Sequence, residues 1–142
     1  MHLPEPVADL IAAANRFDIE GFMAPIADDA LVNDRHRQFW GKHAIRRWSE
    51  IEITGDHVTF DVSDVVEHYG DVIVTAIVGG DFEKDALPQD FRLVLYMTLR
   101  DGKIVRILVL NPDGRKMSAP TAKSEEATPY SEPVGTIGYY QR

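Results

Sequence analysis

Apolar residues recur at helical spacing in the first third of the chain. Between residues 7 and 14 they form one face of a helix. Asp18 is a suitable cap for a second, short helix, which Pro25 should end or bend. A third helix is predicted over residues 42–51, so the first part of the chain is mainly helical.

After residue 56 the apolar positions alternate, which is typical of strands with one buried face. Two short strands are predicted earlier, between the second and third helices, at residues 30–33 and 38–40. The later strands are predicted at residues 58–66, 72–78, 91–99 and 104–110, with a polar, acidic loop over residues 79–90. Helices followed by an antiparallel meander indicate an α+β layer fold.

The chain has 142 residues, which fits one domain. Composition changes near Ser118, after which proline, serine and threonine replace aliphatic residues. We therefore divide the chain into a domain, residues 1–117, and a tail, residues 118–142. Such a tail is typical of disorder, yet Tyr139 and Tyr140 could dock it onto the domain, and both alternatives stay open.

Charge and composition exclude several classes of function. The net charge is −8, which disfavours binding to a phosphate backbone, so we expect no nucleic-acid partner. No run is long and apolar enough for a membrane span, and the first residues lack the pattern of a secretion signal. There is no cysteine, no metal-ligand spacing and no glycine-rich phosphate loop, so we expect a cytoplasmic protein with no metal and no cofactor.

Three stretches carry a resemblance to a known family. Residues 17–22 read FDIEGF, residues 26–34 read IADDALVND, and residues 40–48 read WGKHAIRRW. In this order they resemble the SnoaL-like and ketosteroid isomerase-like branch of the nuclear transport factor 2-like superfamily, over about residues 4–112. The resemblance implies an α+β cone: a curved antiparallel sheet packed against about three N-terminal helices, with a pocket inside. Homodimers are common in that family, so we expect one here.

Asp34 is the first candidate for chemistry. It ends the predicted strand before the charged turn, and the resemblance places it at the position of the general base of ketosteroid isomerases. A carboxylate there could move a proton if apolar surroundings raised its pKa toward the working pH. The alternative is a strand-end aspartate that only holds its own turn.

The rest of the isomerase machinery does not carry over. Leu10 and Leu95 stand where that family places an oxyanion-hole tyrosine and a protonated aspartate, and Ile26 and Ser49 stand where it places supporting tyrosines. Steroid isomerisation is therefore disfavoured, because an enolate would lack its donors. The same substitutions predict an apolar pocket for a small apolar molecule, with Leu10, Leu95 and Trp48 in its wall.

Other residues could line that pocket. Alternation on the last strand puts Val105, Ile107, Val109 and Asn111 on one face, which the resemblance directs into the pocket. Asn111 could orient a ligand, or it could belong to a turn with Pro112.

Aromatic and charged residues leave further alternatives. Trp40, Trp48 and Phe17 could be core or pocket wall. The run from Arg35 to Arg37 could bind an anion or form an Asp–His relay, although a solvated loop explains it more simply. Tyr96 alternates with Leu95 and should face outward, into a dimer interface.

Three functions fit these patterns. The first is an enzyme in which Asp34 performs acid–base chemistry on an apolar or polyketide-like molecule, by isomerisation, cyclisation, dehydration or hydrolysis. The second is a binding protein of the same fold that catalyses nothing. The third is a homodimeric interaction module with a closed core.

Overall fold

A computed structural model describes residues 2–82 and 91–112 of the chain. The predicted tail and most of the predicted loop over residues 79–90 lie outside these residues. The division of the chain near Ser118 therefore stays a prediction.

Three helices form where the apolar periodicity predicts them. They are α1 (Glu5–Asn15), α2 (Ile19–Met23) and α3 (Gly41–Trp48). Asp18 caps α2 as expected, because its Oδ1 accepts a hydrogen bond of 3.0 Å from the backbone N–H of Gly21. The third helix departs from the prediction at its end, where the chain widens into a π-helical turn, Ser49–Ile53.

Six strands form one curved sheet. They are β1 (Ile26–Asp34), β2 (Arg37–Trp40), β3 (Thr59–His68), β4 (Asp71–Gly79), β5 (Arg92–Arg100) and β6 (Lys103–Leu110). Their order is β2-β1-β6-β5-β4-β3. The α+β cone is confirmed.

The sheet is mixed, whereas the sequence predicted an antiparallel one. Four neighbouring pairs are antiparallel, but β1 and β6 run parallel, with Val32 beside Ile107 and Asp34 beside Val109. Parallel neighbours need a long connection, and here the whole meander separates them. Strand β1 also starts earlier than predicted, directly after Pro25.

An irregularity in β6 corrects the predicted alternation. The register between β5 and β6 shifts where Thr98 pairs with Arg106 and Leu99 with Ile104. Val105 is thereby skipped, and Ile104 is fully buried together with Ile107. The inner face of β6 therefore starts with Ile104, and Val105 does not continue the row of Ile107 and Val109.

The hydrophobic core fills the space between the helices and the inner face of the sheet. It draws on every described helix and strand, and its fully buried members include Leu10, Ile45, Val74 and Met97. None of the described helices is long and apolar enough to cross a membrane.

A polar clamp fixes the end of α1 to the sheet. The side-chain amide of Asn15 donates to the carbonyl of Phe60 at 3.0 Å and accepts from the backbone N–H of Phe60 at 2.7 Å. One side chain thus pairs both polar groups of a residue in β3, which fixes how α1 crosses the sheet.

We expect Ile45→Ala to lower the free energy of unfolding by about 2–5 kcal/mol, because Ile45 is fully buried and the truncation leaves a cavity. Ile51→Ala is the matched control, since Ile51 is 44% exposed on the following turn, and it should cost less than about 0.5 kcal/mol. Urea unfolding followed by circular dichroism measures both. Equal losses in the two variants would contradict the described packing.

Candidate active site

Asp34 lies at the inner end of β1. Its neighbour in β6 is Val109, and Val32, two residues earlier on the same face, is fully buried. The side chain of Asp34 is only 13% exposed. Strand register therefore directs this carboxylate toward the inside of the cone, where the sequence predicted the candidate base.

Two donors hold one oxygen of the Asp34 carboxylate. The indole Nε1 of Trp48 donates to Oδ2 at 3.1 Å, and Nη2 of Arg37 donates to the same oxygen at 2.8 Å. An ionised carboxylate only accepts hydrogen bonds, and both of these neighbours only donate. Both contacts therefore use Oδ2 of Asp34 as an acceptor.

The other oxygen, Oδ1, has a different environment. Among residues 2–82 and 91–112 it receives no hydrogen bond, and Nε of Arg35 lies 3.8 Å from it. The two oxygens of Asp34 therefore differ: Oδ2 accepts two hydrogen bonds, and Oδ1 accepts none from the described residues.

Arg37 connects Asp34 to a second carboxylate, Glu52. Nη1 and Nη2 of Arg37 donate to Oε2 and Oε1 of Glu52 at 2.7 and 2.8 Å, which is a bidentate pair. The guanidinium also lies 5.5 Å from the ring centroid of Phe39. This largely buried cation thus sits between two carboxylates and above an aromatic ring.

Burial works to lower the pKa of Arg37, but its hydrogen bonds to Glu52 and the negative charges of Asp34 and Glu52 outweigh burial and raise that pKa above its usual value. Arg37 therefore stays charged across the physiological range. A permanently charged, buried guanidinium requires its carboxylate partners, and both are present.

Arg35 stands on an unusual turn beside this cluster. The two central residues of the β1–β2 hairpin, Arg35 and His36, have φ angles of 55° and 69°. Such turns favour asparagine and glycine, and each non-glycine residue at positive φ costs about 1–3 kcal/mol when held there. The guanidinium of Arg35 lies 3.7 Å from Oε1 of Glu52 and is 33% exposed, so it is paired only loosely.

Four of the predicted pocket residues belong to the core beneath the cluster. Leu10, Trp48, Leu95 and Ile107 are all buried in the same hydrophobic cluster. Trp48 packs against Phe39, with ring centroids 5.9 Å apart, so the indole that donates to Asp34 is itself fixed by the core. Of these four residues Trp48 contacts Asp34, and the pocket predicted around the others stays a prediction.

Asn111 lies at the same end of the sheet as Asp34. It follows β6 two residues after Val109, the neighbour of Asp34, and its side-chain nitrogen is buried. This places an amide on the side of the sheet that the sequence predicted. Contact with a ligand stays a prediction.

Phe17 and Trp40 lie elsewhere, and their positions do not support the predicted pocket wall. Phe17 is 45% exposed in the turn between α1 and α2, edge-on to His57 at a centroid distance of 4.7 Å. Trp40 is 53% exposed and pairs with Leu31, whose side chain faces outward. Successive side chains of β2 point to opposite faces of the sheet, so the ring of Phe39 faces the core and that of Trp40 does not.

The ion pairs of Arg37 with Asp34 and Glu52 were not predicted from the sequence. The solvated loop predicted for residues 35–37 is right for exposed His36 but wrong for Arg37. The signal for Arg37 was its place directly across a two-residue hairpin from Asp34. Glu52 lies four residues after Trp48, which is one helical turn, so both could face Asp34.

Residues that could hold a metal do not gather in the described part of the chain. No three His, Asp or Glu side chains there are grouped as metal ligands would be. The cluster around Asp34 carries two carboxylates and two guanidinium groups, an arrangement suited to proton transfer and anion stabilisation.

Comparisons with known proteins agree with this fold. A family model described as SnoaL-like domain matches residues 7–107. No curated protein matches the chain in sequence.

Three solved structures are similar. A candidate polyketide cyclase from Sinorhizobium meliloti is 24% identical, with a TM-score of 0.67, and the match covers 75% of this chain and 94% of that one. A candidate ketosteroid isomerase from Kribbella flavida is 16% identical, with a TM-score of 0.62 and coverage of 78% and 77%. TerC, co-crystallised with polyporic acid, is 17% identical, with a TM-score of 0.66 and coverage of 85% and 94%. At these identities the likeness shows the fold alone.

We expect Arg37→Ala to destabilise the protein by about 3–5 kcal/mol, because it leaves Asp34 and Glu52 as partly buried carboxylates without their cation. Arg100→Ala is the control: that arginine pairs with Asp29 on the exposed surface, and its loss should change little. Thermal and urea unfolding of both variants measure the difference. A loss below about 1 kcal/mol for Arg37→Ala would show that the cluster is not a buried ion-pair network.

Proposed function

The chain belongs to the SnoaL-like domain family, and we propose that it is a cofactor-independent acid–base enzyme in which Asp34 removes a proton from an apolar or polyketide-like substrate. The observation that carries this proposal is the asymmetry of the Asp34 carboxylate. Oδ2 is fixed by Trp48 and Arg37, while Oδ1 has no hydrogen bond among the described residues. A base needs this combination of a fixed position and an available lone pair.

The proposed step moves one proton. Oδ1 of Asp34 takes the proton of a C–H bond beside a carbonyl group, and the electron pair of that bond moves to the carbonyl oxygen, which becomes an enolate. Carboxylates are modest bases, so the step suits C–H groups made acidic by a carbonyl together with a second carbonyl or an aromatic ring, as in polyketide-like molecules and aromatic ketones. Isomerisation, cyclisation and dehydration can each start from such an enolate.

Arg35 is the proposed partner of that enolate. The donors of ketosteroid isomerases are replaced here by Leu10 and Leu95, both buried and apolar. Arg35 instead places a loosely paired guanidinium 3.8 Å from Oδ1. A cation close to the base can stabilise the oxyanion as it forms.

Similar structures support the substrate class. A candidate polyketide cyclase and a protein co-crystallised with polyporic acid share the fold. Together with the buried indole of Trp48 beside Asp34, they favour a small, mostly apolar molecule with acidic or carbonyl oxygens.

The alternative is a binding protein that catalyses nothing. The replacement of two isomerase donors by Leu10 and Leu95 favours it, because these residues add apolar surface and no catalytic group. Saturable binding of aromatic ketones without any Asp34-dependent proton exchange would support this alternative over the enzyme.

We expect Asp34→Asn to abolish proton removal. Protein-dependent deuterium incorporation from D2O into aromatic ketones such as 2-tetralone, followed by proton NMR, should fall about 100-fold or more, since a general base contributes 10²–10⁴. Asp64→Asn, the same substitution on exposed β3, should leave the rate unchanged. An Asp34→Asn variant as active as the parent would exclude Asp34 as the base.

We also propose that two copies pair through the outer face of the sheet. The described helices share the core with the inner face, while the outer face of β4, β5 and β6, which also holds Thr75, Arg92, Thr98 and Arg106, carries six apolar or aromatic side chains. They are Ile73, Ile77, Val94, Tyr96, Leu108 and Leu110. A twofold dimer would cover such a patch on both copies at once.

The expected result for Leu110→Lys is loss of the dimer, because a twofold axis brings the new charges together on an apolar surface. Leu110 is 42% exposed, and Ile51, which is 44% exposed outside this face, supplies the control variant Ile51→Lys. Light scattering after size exclusion should give a dimer mass for the parent and the control and a monomer mass for Leu110→Lys. A monomeric parent would refute the dimer.

A further inference from the structure

We propose that Glu52 is a positioning residue for Asp34: it occupies the fork of Arg37 and so keeps Oδ1 of Asp34 available. The inference rests on the proposed role of Asp34 as the base. Glu52 does not touch the reacting atoms in this scheme; it acts mainly through the bidentate pair with Arg37, and its looser pair with Arg35 is secondary.

The distances show how Arg37 divides its donors. Glu52 receives two hydrogen bonds from the Arg37 fork, through Nη1 and Nη2, and Asp34 Oδ2 receives one, from Nη2 alone. Nε of Arg37 is used on the backbone carbonyl of Asp34, at 3.2 Å. A bidentate pair is the stronger geometry, so Glu52 is the principal partner of this cation.

This division preserves the charge of Asp34. Arg37 and Glu52 together carry no net charge, so the carboxylate of Asp34 is not cancelled by the cation that holds it. Without Glu52, the fork would be free to close on both oxygens of Asp34, and Oδ1 would lose its lone pair to a second hydrogen bond. With Glu52 in place, Asp34 keeps one oxygen that can accept a proton. Without Glu52, both oxygens of Asp34 would be bound in the ion pair with Arg37.

The backbone around Glu52 is specialised for this placement. It belongs to a π-helical turn, which the backbone N–H of Thr54 closes onto the carbonyl of Ser49 at 2.8 Å. Gly55 follows, where an added Cβ would collide with the carbonyl oxygens of Glu50 and Ile51. Single π turns are rare and are frequent at functional sites.

Glu50 is the natural contrast on the same turn. It pairs with Arg46 at 3.1 Å on the exposed side, away from Asp34. Glu50 and Glu52 share a residue type and a local backbone, but only Glu52 reaches the buried cation. A comparison of the two separates positioning from a general effect of charge on this helix.

Trp48 provides the reporter. The chain has two tryptophans, and only the indole N–H of Trp48 donates to Asp34, while that of Trp40 donates to Gln38. In ¹⁵N-labelled full-length protein the Trp48 indole peak should therefore follow the protonation of Asp34 with pH, and the Trp40 peak should not. Asp34→Asn should remove that pH response and so identify it.

In Glu52→Gln we expect the midpoint of the Trp48 titration to move to lower pH by about one unit or more. Among residues 2–82 and 91–112 the charged groups facing Asp34 are Arg35, Arg37 and Glu52; removing the one negative charge leaves two cations, which favour the ionised carboxylate. Glu50→Gln should keep the parent midpoint.

A merely structural role for Glu52 would lower the melting temperature and leave the midpoint in place, and that result would overturn the inference. If Glu52→Gln does not fold, Glu52→Asp replaces it: the shorter side chain keeps the charge but cannot reach both arms of Arg37. A smaller shift in the same direction is then expected, and no shift would again overturn the inference.

Failure of this inference and failure of the proposed function are distinguishable. The titration measures the surroundings of the carboxylate and needs no substrate, whereas deuterium exchange measures the reaction. A shifted midpoint in Glu52→Gln, with Asp34→Asn as active in exchange as the parent, would keep the positioning and reject the base. An unshifted midpoint in Glu52→Gln, with Asp34→Asn inactive in exchange, would reject the positioning role of Glu52 and keep Asp34 as the base.

Discussion

The structure around the candidate site depends on one buried guanidinium. Arg37 cannot lose its charge, and a buried charge is stable only with partners and hydrogen bonds. Its partners in the described part of the chain include the end of β1, the π-helical turn after α3, and the ring of Phe39. The need to pair this one cation therefore fixes the β1–β2 hairpin against the π-helical turn that follows α3.

The core and the polar cluster are joined through Trp48. Its ring packs with Phe39 and Phe22 in the core, and its single N–H reaches Oδ2 of Asp34. Because an indole is rigid and has one donor, core packing sets the direction of that hydrogen bond. Asp34 is consequently oriented by apolar packing as much as by charge. A change in the core near Phe39 would move the indole of Trp48 and so alter its hydrogen bond to Asp34.

Periodicity predicts the α+β layering and a strand that ends near Asp34, while the cone and the candidate role of Asp34 came from the family resemblance. Residues 7–14 show the buried face of α1 directly. The parallel pairing of β1 with β6 and the shift at Val105 arise from long-range register, which a local pattern does not encode. Arg37 and Glu52 escaped prediction for a similar reason: charged residues in a turn and at a helix end are usually solvated, and only tertiary contact buries them.

The two oxygens of Asp34 have different hydrogen-bond partners, and this difference matters for the reaction that the fold could perform. The resemblance implies that Leu10 and Leu95 stand at the donor positions of ketosteroid isomerases, so the proposed reaction takes its anion stabilisation from the rim of the cone. Arg35 stands at that rim on a backbone that is strained at φ 55°, and such strain persists only where surrounding structure holds it. The pairs around Asp34 and Arg37 supply that hold. The cluster thus holds one loosely paired cation, Arg35, beside the oxygen of Asp34 that has no hydrogen bond among the described residues, and the proposed proton transfer depends on this pairing of acceptor and cation.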